Sequence, residues 1–97
     1  MEYTVLISPY ALIEIEEITD FYESINSLVV LNFIESLEET YKTIRFNPHF
    51  QIKYKTYRSI PLKKFPFLLI FDLDENNKEI IILSCFHTSR STKKYPK

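Results

Sequence analysis

Glycine is entirely missing from this 97-residue sequence. The Walker A and GxGxxG loops of nucleotide-dependent enzymes need glycine, because a Cβ atom would keep the backbone away from the phosphates. The sequence therefore excludes these loops and argues against ordinary nucleotide-cofactor chemistry. Turns that need a positive φ angle must use asparagine or aspartate, and Asn76-Asn77 is the predicted place.

Cysteine is almost as scarce, since Cys85 stands alone and can form neither an intrachain disulfide nor a CxxC metal-binding pair. With two histidines in the chain, no metal site and no cofactor are expected. The first residues lack the basic-then-apolar pattern of a signal peptide, and no apolar run approaches the roughly 18 to 20 residues that cross a bilayer. We therefore expect a cytoplasmic protein with no membrane association.

Basic residues are missing from the first part of the chain. Residues 1–41 contain nine acidic and no basic residues, whereas residues 42–97 contain twelve basic and four acidic ones. The basic part could attract a polyanion such as RNA, or an acidic protein segment. Alternatively, the two parts could simply attract each other.

Two amphipathic helices are predicted before residue 48. Ser8 can cap a helix that has Pro9 at its first position. An apolar stripe with helical spacing follows at Ala11, Ile15, Ile18, Tyr22 and Ile25, and a second one at Val30, Phe33, Ile34, Leu37, Tyr41 and Ile44. Asn47-Pro48 ends the second helix. The acids between the stripes (Glu14, Glu17, Asp20, Glu35, Glu38 and Glu39) are interpreted as solvated helix faces without a catalytic role.

Strands are predicted at residues 2–7, 57–62, 66–73 and 79–86, which are β-branched, aromatic or continuously apolar. Residues 74–78 form a turn-rich connection typical of an antiparallel hairpin. The predicted fold class is therefore α+β: an N-terminal strand, a helical hairpin, then three antiparallel strands, forming a four-stranded, mainly antiparallel sheet. Residues 1–97 form a single domain, with residues 91–97 expected as a flexible tail.

Three residues after the last strand could carry chemistry. His87 can move protons near neutral pH, Arg90 can hold a phosphate through two donors, and Tyr95 could act as an acid or stack on a base. Metal-independent cleavage of RNA needs such groups. The alternative is that His87 caps the sheet and that the nearby cations keep the tail soluble.

A second set of cations could bind nucleic acid or another target. It is interleaved with aromatic residues, as in proteins that follow a nucleic-acid backbone and stack bases. Its members are Lys53, Lys55, Arg58, Lys63 and Lys64, and the tail adds Lys93 and Lys94. In a strand region, the same alternation could mean only that polar residues face outward and aromatic residues inward.

The order of elements and three short motifs resemble the RelE/ParE toxin superfamily over nearly the whole chain. The opening strand, Ser8-Pro9 and the acidic, isoleucine-rich helix through Phe21-Tyr22 look like the family's SPxAxxDLxxIxxYY beginning. Residues 57–71, from Tyr57-Arg58 to the PFLLIF run, resemble its central R...FPYxIxY strands. Residues 82–90 (ILSCFHTSR) resemble its closing VLAVxHxxRxPxxY.

The resemblance implies a bacterial toxin of a type II toxin-antitoxin system, neutralised in a hetero-oligomer by a cognate antitoxin. Members that resemble RelE cleave mRNA on the ribosome, and members that resemble ParE inhibit DNA gyrase. The closely spaced lysines that RelE carries on the first strand of its C-terminal sheet fall near Ser59 and Pro61. The arginine of the next strand is replaced by Leu68.

We therefore expect a growth-arresting toxin with ParE-like inhibition of DNA gyrase favoured. The alternative is a RelE-like ribosome-dependent mRNA endonuclease, which would be metal-independent and would use His87, Arg90 and Tyr95. A third possibility, of another class, is a non-toxic protein-binding module.

Overall fold

Two helices pack on one side of a mixed β-sheet in the computed structural model, which describes residues 2–49, 52–54 and 57–89, with the backbone alone for 52–54. The elements are β1 (Thr4–Ile7), α1 (Pro9–Glu23), α2 (Ser27–Phe46), β2 (Ile52–Tyr54), β3 (Tyr57–Pro61), β4 (Phe67–Asp74) and β5 (Glu79–His87). The predicted α+β fold class and the four predicted strands are confirmed. The short strand β2 is an addition at one edge.

The helix ends follow the local signals of the sequence. The Ser8 hydroxyl oxygen accepts a hydrogen bond from the amide of Ala11 at 3.2 Å, and Pro9 occupies the first helical position. Asn26 caps α2 in the same way, because its side-chain oxygen accepts from the amide of Leu28 at 2.8 Å. Each cap supplies an acceptor to an amide that has no partner within the helix.

The sheet has the strand order β1-β5-β4-β3-β2. β1 runs parallel to β5, and the other three pairs are antiparallel, so the sheet is mainly antiparallel as predicted. A parallel pair requires a long crossover between its strands. The helical hairpin begins that crossover, which places α1 and α2 over the sheet.

The β4–β5 turn corrects one prediction. Asn76 and Asn77 do not have positive φ angles; among the described residues, Lys64 at 69° and Lys78 at 55° do. The Asp74 carboxylate accepts the amides of Asn76 and Asn77, both at 3.1 Å, and thereby holds the asparagines inside the turn. The left-handed position consequently falls on the next residue, Lys78.

A single apolar core lies between the helices and the sheet. Fully buried Phe33 and Ile44 of α2 pack with Phe71 of β4 and with Ile80 and Ile82 of β5. At one end of the core, four rings lie 5.5–6.2 Å apart, those of Tyr22, Phe33, Phe65 and Phe67. Burial of each large apolar side chain contributes roughly 1.5–3 kcal/mol, so these contacts fix α1 and α2 against the sheet.

Candidate functional site

A cleft of about 430 Å³ opens between α1 and the adjoining ends of β4 and β5. We call it the α1 cleft. This volume lies within the usual range of ligand pockets. Its lining residues are Glu14, Glu17, Ile18, Phe21, Phe67, Cys85, Phe86, His87 and Ser89. The structure thus brings His87, a predicted site residue, together with two carboxylates and one aromatic ring of the first helix.

Glu14 lies inside the protein, which corrects the interpretation of its carboxylate as part of a solvated face. Only 8% of the Glu14 surface is exposed. One carboxylate oxygen accepts the hydroxyl of Ser84 at 2.7 Å and the backbone amide of Cys85 at 2.9 Å. The other acids that were interpreted as solvated are exposed, as predicted: Glu17, Asp20, Glu35, Glu38 and Glu39. Glu14 can be buried because β5 offers it two donors, which offset the cost of removing the charge from water.

The Cys85 thiol next to Glu14 is not an activated nucleophile. Burial, and secondarily the nearby Glu14 charge, raises the pKa of Cys85 to about 12. The thiolate is the reactive form of cysteine, and a pKa this high keeps the group a thiol at neutral pH. Cys85 therefore contributes packing to the floor of the α1 cleft.

Ser89 fixes the histidine at the mouth of the α1 cleft. The backbone amide of Ser89 lies 3.1 Å from Nδ1 of His87, and the Ser89 hydroxyl oxygen lies 2.7 Å from the same atom. A backbone amide can only donate, so Nδ1 accepts in this arrangement and the proton of the neutral ring is on Nε2. The ring also packs edge-on against Phe67, with 5.5 Å between centroids. His87 in this geometry offers a hydrogen-bond donor at Nε2.

The α1 cleft has an acidic character. Two carboxylates, Glu14 and Glu17, line it, and no lysine or arginine belongs to its described lining. Negative charges with nearby low-dielectric walls attract cations and repel phosphates. The described lining of the cleft is therefore partly apolar and partly acidic.

Lys63 and Lys64 lie elsewhere, in the connection between β3 and β4. They line a second cleft of about 340 Å³, against α2, together with Val29, Asn32, Glu35, Ser36, Glu39 and Phe65. The Ser36 hydroxyl donates to the carbonyl of Lys63 at 2.7 Å and ties this connection to the helix. Both lysine side chains are exposed. The structure thus separates these cations from His87.

The remaining predicted residues are divided between β3 and the end of the chain. Arg58 is half-buried on β3, where it pairs in register with Phe71. Arg90, Lys93, Lys94 and Tyr95 lie outside the described residues, as do the predicted tail and Lys55. Lys53 lies in β2, for which the structure describes the backbone.

Sequence reasoning missed Glu14 and Phe21 as cleft residues. Glu14 follows Ala11 by three positions and precedes Ile18 by four, so it lies in phase with the buried stripe. Phe21 follows Ile18 by three positions and precedes Ile25 by four, so it also adjoins that stripe, although 61% of the residue is exposed. The helical spacing of both residues was a signal available in the sequence.

Within the described part of the chain, no group of three or more metal-ligating side chains is placed to hold a metal ion. The described helices also include none that is long and apolar enough to cross a membrane.

Known structures share this fold. The toxin–antitoxin system ParDE from P. aeruginosa aligns with a TM-score of 0.73 and 20% identity, over 89% of this chain and 96% of that one. A mutant of the E. coli toxin RelE in the free state aligns with a TM-score of 0.67 and 15% identity, over 99% of this chain and 100% of that one. The intact E. coli RelBE toxin–antitoxin complex aligns with a TM-score of 0.57 and 16% identity, over 91% of this chain and 99% of that one.

The comparison with curated protein sequences gave no match. A family model described as the ParE toxin of the type II toxin-antitoxin system parDE matches residues 5–92. This match covers most of the chain, including both helices and every strand from β2 onward. The chain therefore belongs to the ParE toxin family and is the toxin of a type II toxin-antitoxin system.

Proposed function

We propose that this toxin arrests growth by ParE-like inhibition of DNA gyrase, through binding and not through catalysis. The proposal rests mainly on the surroundings of His87 in the α1 cleft. This histidine is the one predicted catalytic residue among the described residues, and it lies in a cleft with the carboxylates of Glu14 and Glu17. Fold alone does not choose between the targets of this superfamily, so the argument rests on the site.

Metal-independent RNA cleavage has chemical requirements that the described lining of this cleft meets poorly. It needs a base for the 2′-hydroxyl and positive charge for the developing phosphorane. Nδ1 of His87 is occupied by Ser89, and the exposed Glu17 carboxylate of the same cleft would oppose an incoming phosphate. Ser59, Pro61 and Leu68 stand where the resemblance places the cations of RelE-type nucleases. These features support a binding mechanism.

The exposed cations of the second cleft are the proposed contact with gyrase. Lys63 and Lys64 extend from a connection that Ser36 holds against α2. Lys64 also adopts a left-handed backbone with a φ angle of 69°, which costs a residue with a Cβ atom about 1 kcal/mol. Backbone strain of this kind often accompanies functional positions. We include Arg58, Lys93 and Lys94 in the same target-binding set.

The partner that neutralises the toxin is a cognate antitoxin, and the complex is proposed to be a hetero-oligomer. Several solved structures that share this fold are named as toxin–antitoxin systems or complexes. Both the antitoxin and gyrase act in the cytoplasm, where we place the protein.

The direct test is a supercoiling assay with purified gyrase and relaxed plasmid. We expect the wild-type chain to inhibit supercoiling, and His87→Ala to inhibit equally well because no catalysis is involved. The double variant Lys63→Gln with Lys64→Gln should weaken inhibition, whereas the exposed Lys42→Gln serves as a control at a cation outside the proposed contact and should not.

Two results would replace gyrase inhibition with another function. Undisturbed supercoiling, combined with mRNA cleavage on ribosomes that His87→Ala or Arg90→Ala abolishes, would establish the RelE-like endonuclease. Harmless expression of the folded chain would instead favour a non-toxic binding module.

A further inference from the structure

The two edges of the sheet are protected to different degrees. β2, at one edge, has three residues, includes Lys53 and pairs with β3 through an irregular register. Short length, lysine and irregular pairing are features that keep an edge strand from pairing with another chain. β1, at the other edge, has the uncharged, proline-free sequence TVLI and a regular register with β5. β1 is therefore the edge that is open to further pairing.

The hydrogen bonds of β1 show which of its backbone groups point outward. The amides of Thr4 and Ser8 each donate toward the side of β5, at 2.9 Å. Successive residues of a strand direct their backbone groups to opposite sides, so those of Val5 and Ile7 point away from β5. Because β1 is the last strand of the sheet on this side, these groups form its outer edge.

The outer edge of β1 is limited at both ends. The Tyr3 amide, which also points outward, donates to the carbonyl of Arg45 at the end of α2, at 3.2 Å. Pro9, at the other end, has no amide hydrogen and begins α1. The backbone that can pair with another strand is therefore that of residues 5–7.

The side chains along this edge are apolar and partly exposed. Leu6 is 43% exposed and Ile7 38%, whereas Val5 packs against the core. Successive side chains of a strand point to opposite faces of the sheet, so Leu6 points away from the helices. A strand that pairs with β1 would cover Leu6 on one face and Ile7 on the other.

We propose that β1 pairs with β1 of a second copy of this chain, antiparallel about a two-fold axis at Leu6. This register places Val5 of each copy opposite Ile7 of the other, and each such pair exchanges both of its backbone hydrogen bonds. Leu6 lies opposite Leu6 of the second copy in a non-hydrogen-bonded pair, where facing side chains are closest. The two exposed leucines thereby cover each other.

A second copy fits this edge because the contact is self-complementary, as a two-fold interface requires. Thr4 lies opposite Ser8 of the second copy, so residues 4–8 bring no like charges together, which would weaken cross-strand pairing. The symmetric pairing also uses the outward amides and carbonyls of Val5 and Ile7 and needs none beyond them. A longer strand from another protein would meet the Arg45 end of α2 beside Tyr3.

This dimer would join two five-stranded sheets into one. In the strand order of each sheet, β3 is separated from β1 by β5 and β4. The connection that carries Lys63 and Lys64 follows β3, so both copies of the proposed gyrase contact would stay uncovered at the two ends of the joined sheet. The inference does not depend on the proposed function, since it concerns the opposite edge of the fold.

The first experiment measures the oligomeric state of the full-length chain by analytical ultracentrifugation. The contact is small, and small interfaces are weak, so we expect a dimer that dissociates on dilution from about 100 µM to about 1 µM. Leu6→Lys should raise its dissociation constant about a hundredfold, because two apolar side chains become two like charges that face each other. Leu31→Lys makes the same substitution at a 64% exposed leucine of α2 and should leave the dimer unchanged.

A second variant acts on the backbone of the edge instead of its side chains. Ile7→Pro removes one outward amide and places the proline ring in the path of the second strand, without touching a hydrogen bond to β5. It should also favour the monomer. Circular dichroism would verify that each variant is folded.

Hydrogen exchange followed by NMR would locate the contact. In the wild type, the amides of Val5 and Ile7 should exchange severalfold more slowly at high concentration than after dilution. In Leu6→Lys they should exchange fast at both concentrations. The amides of Thr4 and Ser8, which bond toward β5, should stay protected throughout and serve as internal controls.

Four results would overturn the proposal. The first is a wild type that remains monomeric at about 100 µM, where even a weak dimer would form. The second is an equal effect of Leu6→Lys and Leu31→Lys, which would place the contact on another surface. The third is protection of Val5 and Ile7 at every concentration, which would mean that the chain covers its own edge. The fourth is protection that arises only when an antitoxin is added, which would assign the edge to that partner.

Discussion

Replacing Glu14 should destabilise this protein more than replacing any other acid of α1. Glu14→Ala leaves the Ser84 hydroxyl and the Cys85 amide, both buried, without the acceptor that lies 2.7 and 2.9 Å away. Each buried donor left without an acceptor lowers the free energy of unfolding by about 1–3 kcal/mol. Some water can enter from the cleft, so we expect a total loss of about 3 kcal/mol. This is a large share of the roughly 5–15 kcal/mol that stabilises a typical domain.

Urea and thermal unfolding followed by circular dichroism would measure the effect. A loss of about 3 kcal/mol corresponds to a Tm about 15 °C lower in a domain of this size. Glu14→Gln keeps an acceptor oxygen and should cost about 1 kcal/mol, since the hydrogen bonds lose their charge. Glu16→Ala, on the exposed side of the same helix, should change stability by less than about 0.5 kcal/mol. Equal stability of Glu14→Ala and Glu16→Ala would refute the structural role of the buried carboxylate.

Four further changes have expected outcomes that unfolding experiments can check. Phe71→Ala empties a fully buried site and should cost about 3–5 kcal/mol in urea unfolding. Ser8→Ala removes the cap of α1 and should cost about 1 kcal/mol in the same assay. Lys64→Asn relieves the left-handed backbone and should stabilise the fold by about 0.5 kcal/mol while weakening gyrase inhibition. The pKa of the Glu75 carboxyl is lowered by hydrogen bonds, first from His49 and then from Tyr3. Its contribution to stability is therefore present above the ordinary glutamate pKa of 4.5 and lost as pH falls below that value, so Glu75→Gln should flatten that part of a stability–pH profile.

The helices and main strands could be predicted because their signals are local. Ser8-Pro9 starts α1, Asn47-Pro48 follows α2, and apolar periodicity separates helices from strands. β2 was not predicted as a strand, because its three residues carry too short a pattern and depend on pairing with β3. The left-handed positions also escaped prediction, since Asp74 sets the turn through its side-chain bonds and moves the strained residue to Lys78.

The candidate site was harder to predict than the fold. His87 was identified because a histidine after a buried strand is conspicuous in the sequence. The burial of Glu14 depends on two donors of β5 that are 70 and 71 residues away along the chain, and helical periodicity cannot reveal these donors. Long-range packing likewise decides that Lys63 and Lys64 face α2 in a different cleft from His87.

The claim that this toxin acts on gyrase by binding can be tested most directly in growing cells. The chain would be induced without an antitoxin, and DNA, RNA and protein synthesis would be followed by pulse labelling during the first minutes. We predict that DNA synthesis fails first while mRNA stays intact. Early loss of protein synthesis with cleaved mRNA would contradict the account and assign the toxin to the ribosome.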